Sequence, residues 1–342
     1  MMNSIEILRS FELALSDFEN NPDWQSVMRI AEVKNPWFTQ ENIKSSLDSW
    51  RTALNNESIS KWLIGYKEEL PSSDKVLGII GAGNIPLVVM HDVLVGLISG
   101  LKLKIKLSSD DEELPKFWIN KAQELCKTTL NIEYVDRLND IDIAIATGSN
   151  NTNRYFEYYF KNTPNVLRKN RNSLAVLGMH DTYSENQYMQ LGNDIFSYFG
   201  LGCRNVTHIK VPQGFDFKPM IQTWEKHFID LANHNKYINN YNYHKALLLM
   251  NLDPHIDSGF VLMKESESLY SPVGVVYYSF YNDIEDVKNY IIQNKENIQC
   301  VVSDFNEISN VIKIGSAQCP KLWDYADGVD TLSFLRKELN LI

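Results

Sequence analysis

"KVLGIIGAGNIPLVVM", residues 75–90, decides the fold class. "KVLGII" (75–80) is a short apolar strand that runs into the glycine-rich turn "GAGN", and a helix follows. Pro86 suits the first helical position, where its missing N–H costs nothing, so the helix is expected from Pro86 to about Ser99, with Gly100 as its stop. "LKLKIKL" (101–107) alternates apolar and basic residues, the period of a strand. Strand, turn, helix and strand make one βαβ unit with a short crossover.

The pattern continues downstream. A helix is expected over about 112–128, then strands "NIEYV" (131–135) and "DIAIAT" (142–147). A helix starts in the Gly-Ser-Asn turn, followed by strand "SLAVL" (173–177), a helix from Ser184 to Phe199 and strand "VTHIKV" (206–211). Beyond it helix and strand alternate, with a Pro-containing turn in "SLYSPVGVVYYSF" (268–280). Upstream, residues 1–70 read as amphipathic helices, two of them in "ENIKSSLDSWRTALNNESISKWLIGY". Alternating helix and strand implies a mainly parallel α/β architecture.

A chain of 342 residues suggests two domains. Hydrophobic content of 44% and charged content of 22% fit a globular protein with neither low complexity nor repeats. Forty-three acidic against 33 basic residues give a net charge of -10, which argues against broad nucleic-acid binding. The basic run "LRKNR" (167–171) is local, a loop or a small anion site. The N-terminus lacks the features of a signal peptide. The longest apolar run is broken by His91 and Asp92, so no membrane span is expected. The four cysteines form no CxxC pair, and the seven histidines show no ligand spacing. No metal site is expected, and reduced thiols point to the cytoplasm.

Three segments carry candidate chemistry. "GAGNIP" (81–86) starts like a dinucleotide G-x-G-x-x-G turn, but Pro86 stands where the third glycine permits close helix–strand packing. It is either a tight strand-to-helix turn or a place for Asn84 to donate its amide to a developing oxyanion. "ATGSNN" (146–151) is a capped helix start or an anion site. "FSYFGLGC" (196–203) presents Cys203 in a glycine-flanked turn before Arg204. A buried small hydrophobe and a thiolate nucleophile are both open for Cys203 on local grounds. Cys126, Cys300 and Cys319 look structural, and no G-x-S-x-G elbow exists.

Together these segments resemble the aldehyde dehydrogenase superfamily. Asn84 and Pro86 match its P-W-N-F-P segment, Lys106 and Ser108 its K-P-S strand end, and Thr147, Gly148 and Ser149 its F-T-G-S turn. Phe196, Gly200 and Cys203 match F-x-x-x-G-Q-x-C, with Leu201 in place of Gln, and Pro272 matches E-x-F-G-P. The resemblance covers roughly residues 70–280. It implies two parallel-sheet α/β domains with a helical N-terminal segment: residues 1–70 packing on a cofactor domain, an NAD(P)-binding domain at 71–175, a catalytic domain at 176–320 and a C-terminal tail at 321–342. It makes Cys203 the nucleophile and Asn84 the oxyanion donor. Lys106, Ser108, Ser109, Thr147, Gly148, Ser149 and Glu267 become cofactor residues.

The departures narrow the expectation. Hydrolytic members carry a water-activating glutamate in E-L-G-G-K, and no acid lies between Asn165 and Ser173 here. A thioester partner is then expected to enter or leave, as in the LuxC-like fatty-acyl-CoA reductases, which the ending "AQCPKLWDYADGVDTLSFL" (317–335) also resembles without suggesting its own role. The ribose-binding glutamate of the family falls at Ser268, beside Glu267. Ser109, small and neutral, leaves room for a 2′-phosphate near Lys106, so NADPH is expected before NADH. The resemblance thus implies reduction of an acyl-CoA or acyl-protein thioester to an aldehyde, with an acyl-protein synthetase or acyl carrier protein as partner and a homo-oligomer as assembly. The alternatives are an NAD(P)-dependent dehydrogenase of free aldehydes and an inactive acyl- or partner-binding relative.

Overall fold

The computed structural model describes residues 2–340 apart from 65, 67–68, 71–72, 179–182 and 306. Two units emerge, one built from residues 1–170 with 320–342 and the other from 171–319. The expected boundary at 70/71 touches residue 71, which is outside the described residues.

Unit 1 opens with strand β1 (Met2–Asn3) and helices α1 (Ser4–Ala14), α2 (Pro22–Lys34), α3 (Gln40–Ala53) and α4 (Asn56–Trp62). Each start is written in the sequence. Asn3, Asn21, Thr39 and Asn55 accept first-turn N–H groups that have no partner inside a helix. Strand β2 (Glu69–Leu70) pairs antiparallel with β1. Then come β3 (Val76–Ile80), α5 (Met90–Ile98), β4 (Lys102–Lys106), α6 (Glu113–Leu125), β5 (Ile132–Tyr134), β6 (Ile143–Thr147), α7 (Asn150–Tyr159) and β7 (Asn165–Arg168). The sheet order is β5-β4-β3-β6-β7, with every pair parallel.

The N-terminal helices share one apolar core with β3, β4, α5 and α6. Phe11, Trp24 and Trp118 are fully buried, a gain of roughly 2–3 kcal/mol each. Both indole N–H groups are satisfied: Trp24 donates to the Ala14 carbonyl and Trp118 to that of Phe11, each at 3.0 Å. Every residue of α5 except His91 is buried, as suits a helix apolar on all sides. This helix starts at Met90 and not at the expected Pro86. Leu87 adopts a left-handed backbone (φ 63) and donates its N–H to Asp111 Oδ2 at 2.7 Å, which postpones the helix.

Unit 2 contains β8 (Asn172–Val176), α8 (Glu185–Phe196), β9 (Val206–Pro212), α9 (Lys218–Phe228), α10 (Asn235–Met250), β10 (Ile256–Asp257), β11 (Leu262–Glu265), β12 (Val275–Tyr281), α11 (Ile284–Gln293), β13 (Ile298–Ser303) and β14 (Val311–Ile312). The sheet order is β10-β11-β12-β9-β8-β13-β14, parallel except for β10–β11. A reciprocal cap between Ser184 and Gln187 starts α8, which ends at Phe196, short of the expected Phe199. The chain then returns to unit 1 with α12 (Thr331–Glu338).

Two expected boundaries shift. β8 pairs with β9 and β13, so the division falls at 170/171 and not at 175/176. Residues 321–342 are not a separate tail, because Leu322, Leu332 and Leu335 are buried in the core of unit 1.

Candidate active site

Cys203 sits in a turn built from its own unit. After α8 the chain makes a tight 3-10 turn at Ser197–Gly200, where Tyr198 (φ 52), Phe199 (φ 58) and Gly200 (φ 76) are successively left-handed. Glycine takes this conformation freely, whereas each aromatic residue costs about 1–2 kcal/mol. Burial of both rings offsets that strain; Phe199 stacks on His234 at 4.2 Å and meets Tyr237 at 5.9 Å. Strain held in place by packing is a recurring feature of functional turns.

Asn205 is the scaffold of the turn. It is fully buried, accepts the Gly202 N–H at 2.8 Å, and directs its amide at the carbonyls of Ser197 (2.9 Å), Ile195 (3.1 Å) and Asp194 (3.3 Å). The Cys203 carbonyl accepts the Ser173 hydroxyl at 3.1 Å. Cys203 itself is half-buried, while Cys126 and Cys300 are buried. Cys319, expected to be structural, is exposed. Arg204 donates from Nε to the Ala317 carbonyl at 2.5 Å, so its stem turns toward residues 313–319.

The loop carrying Glu267 is pinned along β9. Lys210, 5% exposed, places Nζ 2.7 Å from Glu267 Oε2 and 4.1 Å from the Tyr290 ring centroid. His208 bonds the Ser268 carbonyl through Nδ1 and Ser279 Oγ through Nε2, both at 2.8 Å. A carbonyl only accepts, so Nδ1 holds the proton and Nε2 accepts from the serine. Burial pushes the His208 pKa down to about 4, so the ring is neutral. Thr207 Oγ1 donates to the Leu269 carbonyl at 2.7 Å. Glu267 is thus exposed but already held by a lysine, and the carbonyl of Ser268, where the superfamily places its glutamate, is tied to His208.

In unit 1 the expected cofactor residues gather at one edge. β3, β4 and β6 are parallel, with Ile80 level with Lys106 and Ala146, so Gly81–Asn84, Lys106–Ser109 and Thr147–Ser149 all follow the carboxyl ends of neighbouring strands. The strand order reverses at β3, with β4 on one side and β6 on the other. The crevice outside such a switch point is where open α/β sheets take ligands. Asn84, Lys106, Ser109 and Ser149 are exposed, and Ser108, Thr147 and Gly148 are half-buried. Ser149 caps α7 by accepting the Thr152 N–H, and that helix start directs N–H dipoles at an incoming anion.

Gly83 is required for packing: a Cβ there would lie 2.5 Å from Ser108 Oγ. The turn is filled by its own neighbours, which agrees with the departure from the G-x-G-x-x-G pattern. Asp111 was not foreseen. It is buried, and desolvation pushes its carboxyl well above the usual range. Asp110, beside Ser109, is exposed, as is Lys106, so this strand end presents charges of both signs.

The run 167–171 is a strand end followed by a short loop at 169–171. Leu167 and Arg168 end strand β7, and Arg168 is buried in a bidentate pair with Asp92 (2.5 and 2.7 Å), with Thr331 Oγ1 at 3.1 Å. Lys169 pairs with Glu157 at 3.0 Å. Among the described residues no cluster of His, Cys, Asp and Glu could hold a metal ion, and no helix is long and apolar enough to cross a membrane.

No family model matches the sequence, and no curated protein is similar enough to match. Solved structures do match. Aldehyde dehydrogenase 21 from Physcomitrella patens, in complex with the reaction product succinate, superposes with a TM-score of 0.67 at 10% identity, covering 99% of this chain and 85% of that one. The NAD+ complex of an aldehyde dehydrogenase from Bacillus cereus gives 0.60 at 14% identity over 90% and 73% of the two chains. A Mycobacterium tuberculosis aldehyde dehydrogenase complexed with NAD+ gives 0.62 at 14% over 92% and 76%. At such identities the likeness is one of architecture, and this chain has the aldehyde dehydrogenase fold.

Proposed function

We propose that this protein is an NAD(P)H-dependent reductase that converts an acyl-CoA or acyl-protein thioester, of fatty-acyl type, to an aldehyde through a Cys203-bound acyl-enzyme. One observation carries the choice of a thioester. The chain around β7, where hydrolytic relatives keep a water-activating glutamate, holds only Arg168, Lys169, Asn170 and Arg171, and Arg168 is consumed by its pair with Asp92. That segment offers no carboxylate to take a proton from water, which favours reduction of a Cys203-bound acyl group over its hydrolysis.

The Cys203 thiolate attacks the thioester carbonyl, and the carbon–sulfur bond to CoA breaks as the thiolate of CoA leaves. The resemblance assigns the oxyanion to the Asn84 amide and the Cys203 backbone N–H. Lys106, Ser108, Ser109, Thr147, Gly148, Ser149 and Glu267 would hold the dinucleotide, and the switch-point crevice with the α7 start suits its pyrophosphate. When bound, reduced nicotinamide supplies the two electrons that take the acyl group to the aldehyde level. NADPH is the expected form, an acyl carrier protein or acyl-protein synthetase the expected partner class, a homo-oligomer the expected assembly, and the cytoplasm a compartment that keeps Cys203 reduced.

The second reading is oxidation of free aldehydes with NAD(P)+, supported by the fold shared with three aldehyde dehydrogenases. A panel of acyl-CoAs with NADPH or NADH, run beside free aldehydes with NAD+ or NADP+, separates the two. Incubation with acyl-CoA alone should give a mass adduct that Cys203→Ser abolishes. Because Cys319 is exposed whereas Cys203 is half-buried, the adduct is assigned by peptide mapping. No adduct at any chain length refutes the covalent route. Asn84→Ala should lower turnover about 100-fold or more.

A further inference from the structure

The turn that carries Asn84 is held at both ends by the end of β4 and the loop after it. At its start, Gly81 donates its N–H to the Lys106 carbonyl at 3.0 Å. In its middle, Gly83 lies against the loop: a Cβ on it would stand 2.5 Å from Ser108 Oγ and 3.0 Å from Asp110 Cβ. At its end, Leu87 donates its N–H to Asp111 Oδ2 at 2.7 Å, and the Pro86 carbonyl accepts the Ser46 hydroxyl at 2.9 Å. Asp111 is itself fixed, with its N–H on the Ser108 carbonyl at 3.1 Å and only 3% of its surface exposed.

Leu87 is the strained point of this turn. It is fully buried and left-handed (φ 63), a setting that side chains other than glycine avoid. Only Ile85 and Pro86 separate it from Asn84. The proline ring locks one dihedral of that link, and the residue before a proline is restricted as well. So stiff a link passes the setting of Leu87 on to Asn84. The acceptor at Asp111 satisfies the buried Leu87 N–H in this conformation, and strain of this kind persists only where its surroundings hold it.

We propose that Asp111 is a positioning residue: through the Leu87 N–H it sets the backbone that aims the Asn84 amide at the oxyanion. The proposal rests on Asn84 as oxyanion donor and Cys203 as nucleophile, the reading given above. What the turn needs from Asp111 is an acceptor oxygen, not a charge. Burial favours the neutral acid, opposed by the Leu87 N–H. The neutral acid accepts through its carbonyl oxygen, and an asparagine presents the same oxygen.

The test follows single-turnover acylation of Cys203 by octanoyl-CoA, by mass with peptide mapping, in wild type, Asp111→Leu and Asp111→Asn. Asp111→Leu removes the acceptor and should slow acylation about tenfold or more at saturating octanoyl-CoA, with the half-saturating concentration unchanged. Asp111→Asn should stay within about threefold of wild type, and Asp111→Leu added to Asn84→Ala should slow the reaction by less than about threefold further, since it acts through that amide. Alkylation of Cys203 by iodoacetamide builds no oxyanion and should run at one rate in all variants. Acylation of Asp111→Leu at the wild-type rate overturns the proposal. So does a loss that Asp111→Asn shares, that adds in full to Asn84→Ala, or that alkylation reproduces. Should Asp111→Leu not fold, hydrogen exchange of the Leu87 amide decides: it should be slowed about a hundredfold or more in both wild type and Asp111→Asn, and unprotected exchange in either overturns the proposal. A wild type that acyl-CoA does not acylate fails the thioester reading instead. The same variants are then compared with octanal and NAD+, where attack of Cys203 on the aldehyde builds a like oxyanion, and an undiminished rate in Asp111→Leu overturns the proposal. With neither reaction in the wild type, Asn84 has no oxyanion to hold, and the proposal falls with the reading.

Discussion

Asn205→Ala isolates what the Cys203 turn owes to one buried amide. The side chain makes three hydrogen bonds' worth of contact, because Oδ1 takes the Gly202 N–H while two amide protons are shared among the carbonyls of Asp194, Ile195 and Ser197. At about 1 kcal/mol net per bond the loss is about 3 kcal/mol, and the buried Gly202 N–H left without an acceptor adds about 1–3 kcal/mol. A total of about 4–6 kcal/mol is a large share of the roughly 5–15 kcal/mol that holds a typical domain together. It is expected to appear as local opening, since the contacts end within residues 194–205. Hydrogen exchange of a peptide spanning 197–206 should accelerate by about a thousandfold or more, because 1.4 kcal/mol corresponds to a factor of ten. Asn205→Asp keeps the acceptor for Gly202 but turns a second oxygen toward three carbonyls, so it should open the turn at least as much. Acceleration of less than tenfold in both variants would refute the scaffold role.

Three further outcomes follow from other contacts. Arg168→Met or Asp92→Asn alone leaves a buried partner uncompensated and should cost about 3–5 kcal/mol in urea unfolding, whereas Arg168→Met with Asp92→Leu should recover much of it; equal losses in single and double variants would contradict this. His208 is neutral in the folded chain with a pKa near 4 against 6.5 unfolded, so its contribution is complete above about pH 6.5 and is lost as pH falls toward 4. The difference is roughly 3 kcal/mol, and His208→Gln should flatten that part of the stability–pH curve. Gly83→Ala drives a Cβ into Ser108 and should destabilise by about 1–3 kcal/mol, and Ser108→Gly in the same chain should relieve it, as read from melting temperatures.

Helix starts were legible because their chemistry is local. Asn3, Asn21, Thr39, Asn55, Ser149 and Ser184 all cap the helices that follow them. Pro86 misled for the opposite reason: it permits a helix start, but the buried carboxyl of Asp111, 24 positions later, captures the Leu87 N–H and delays the helix. Of the residues around Cys203, the glycines were visible as turn formers. Asn205 carried a weak signal, a turn-favouring residue three positions after Gly202, and Asp194 none, since the Gly315 and Ala317 N–H groups that it accepts lie more than 120 residues away.

The sequence by itself determined the alternation of strands and helices and the turns that follow β3 and β6, and it marked Cys203 as the candidate among four cysteines. Those follow from periodicity, turn chemistry and chain order, all of which act over short range. Tertiary structure alone decided that Arg168 is a buried partner of Asp92 and not an anion hook, that the C-terminal residues return to the core of unit 1, and that the Ala317 carbonyl holds Arg204, the residue after Cys203. Each of these is settled by burial. A charge or an amide removed from water must find a partner wherever the fold puts one, and nothing in the local sequence says where that will be.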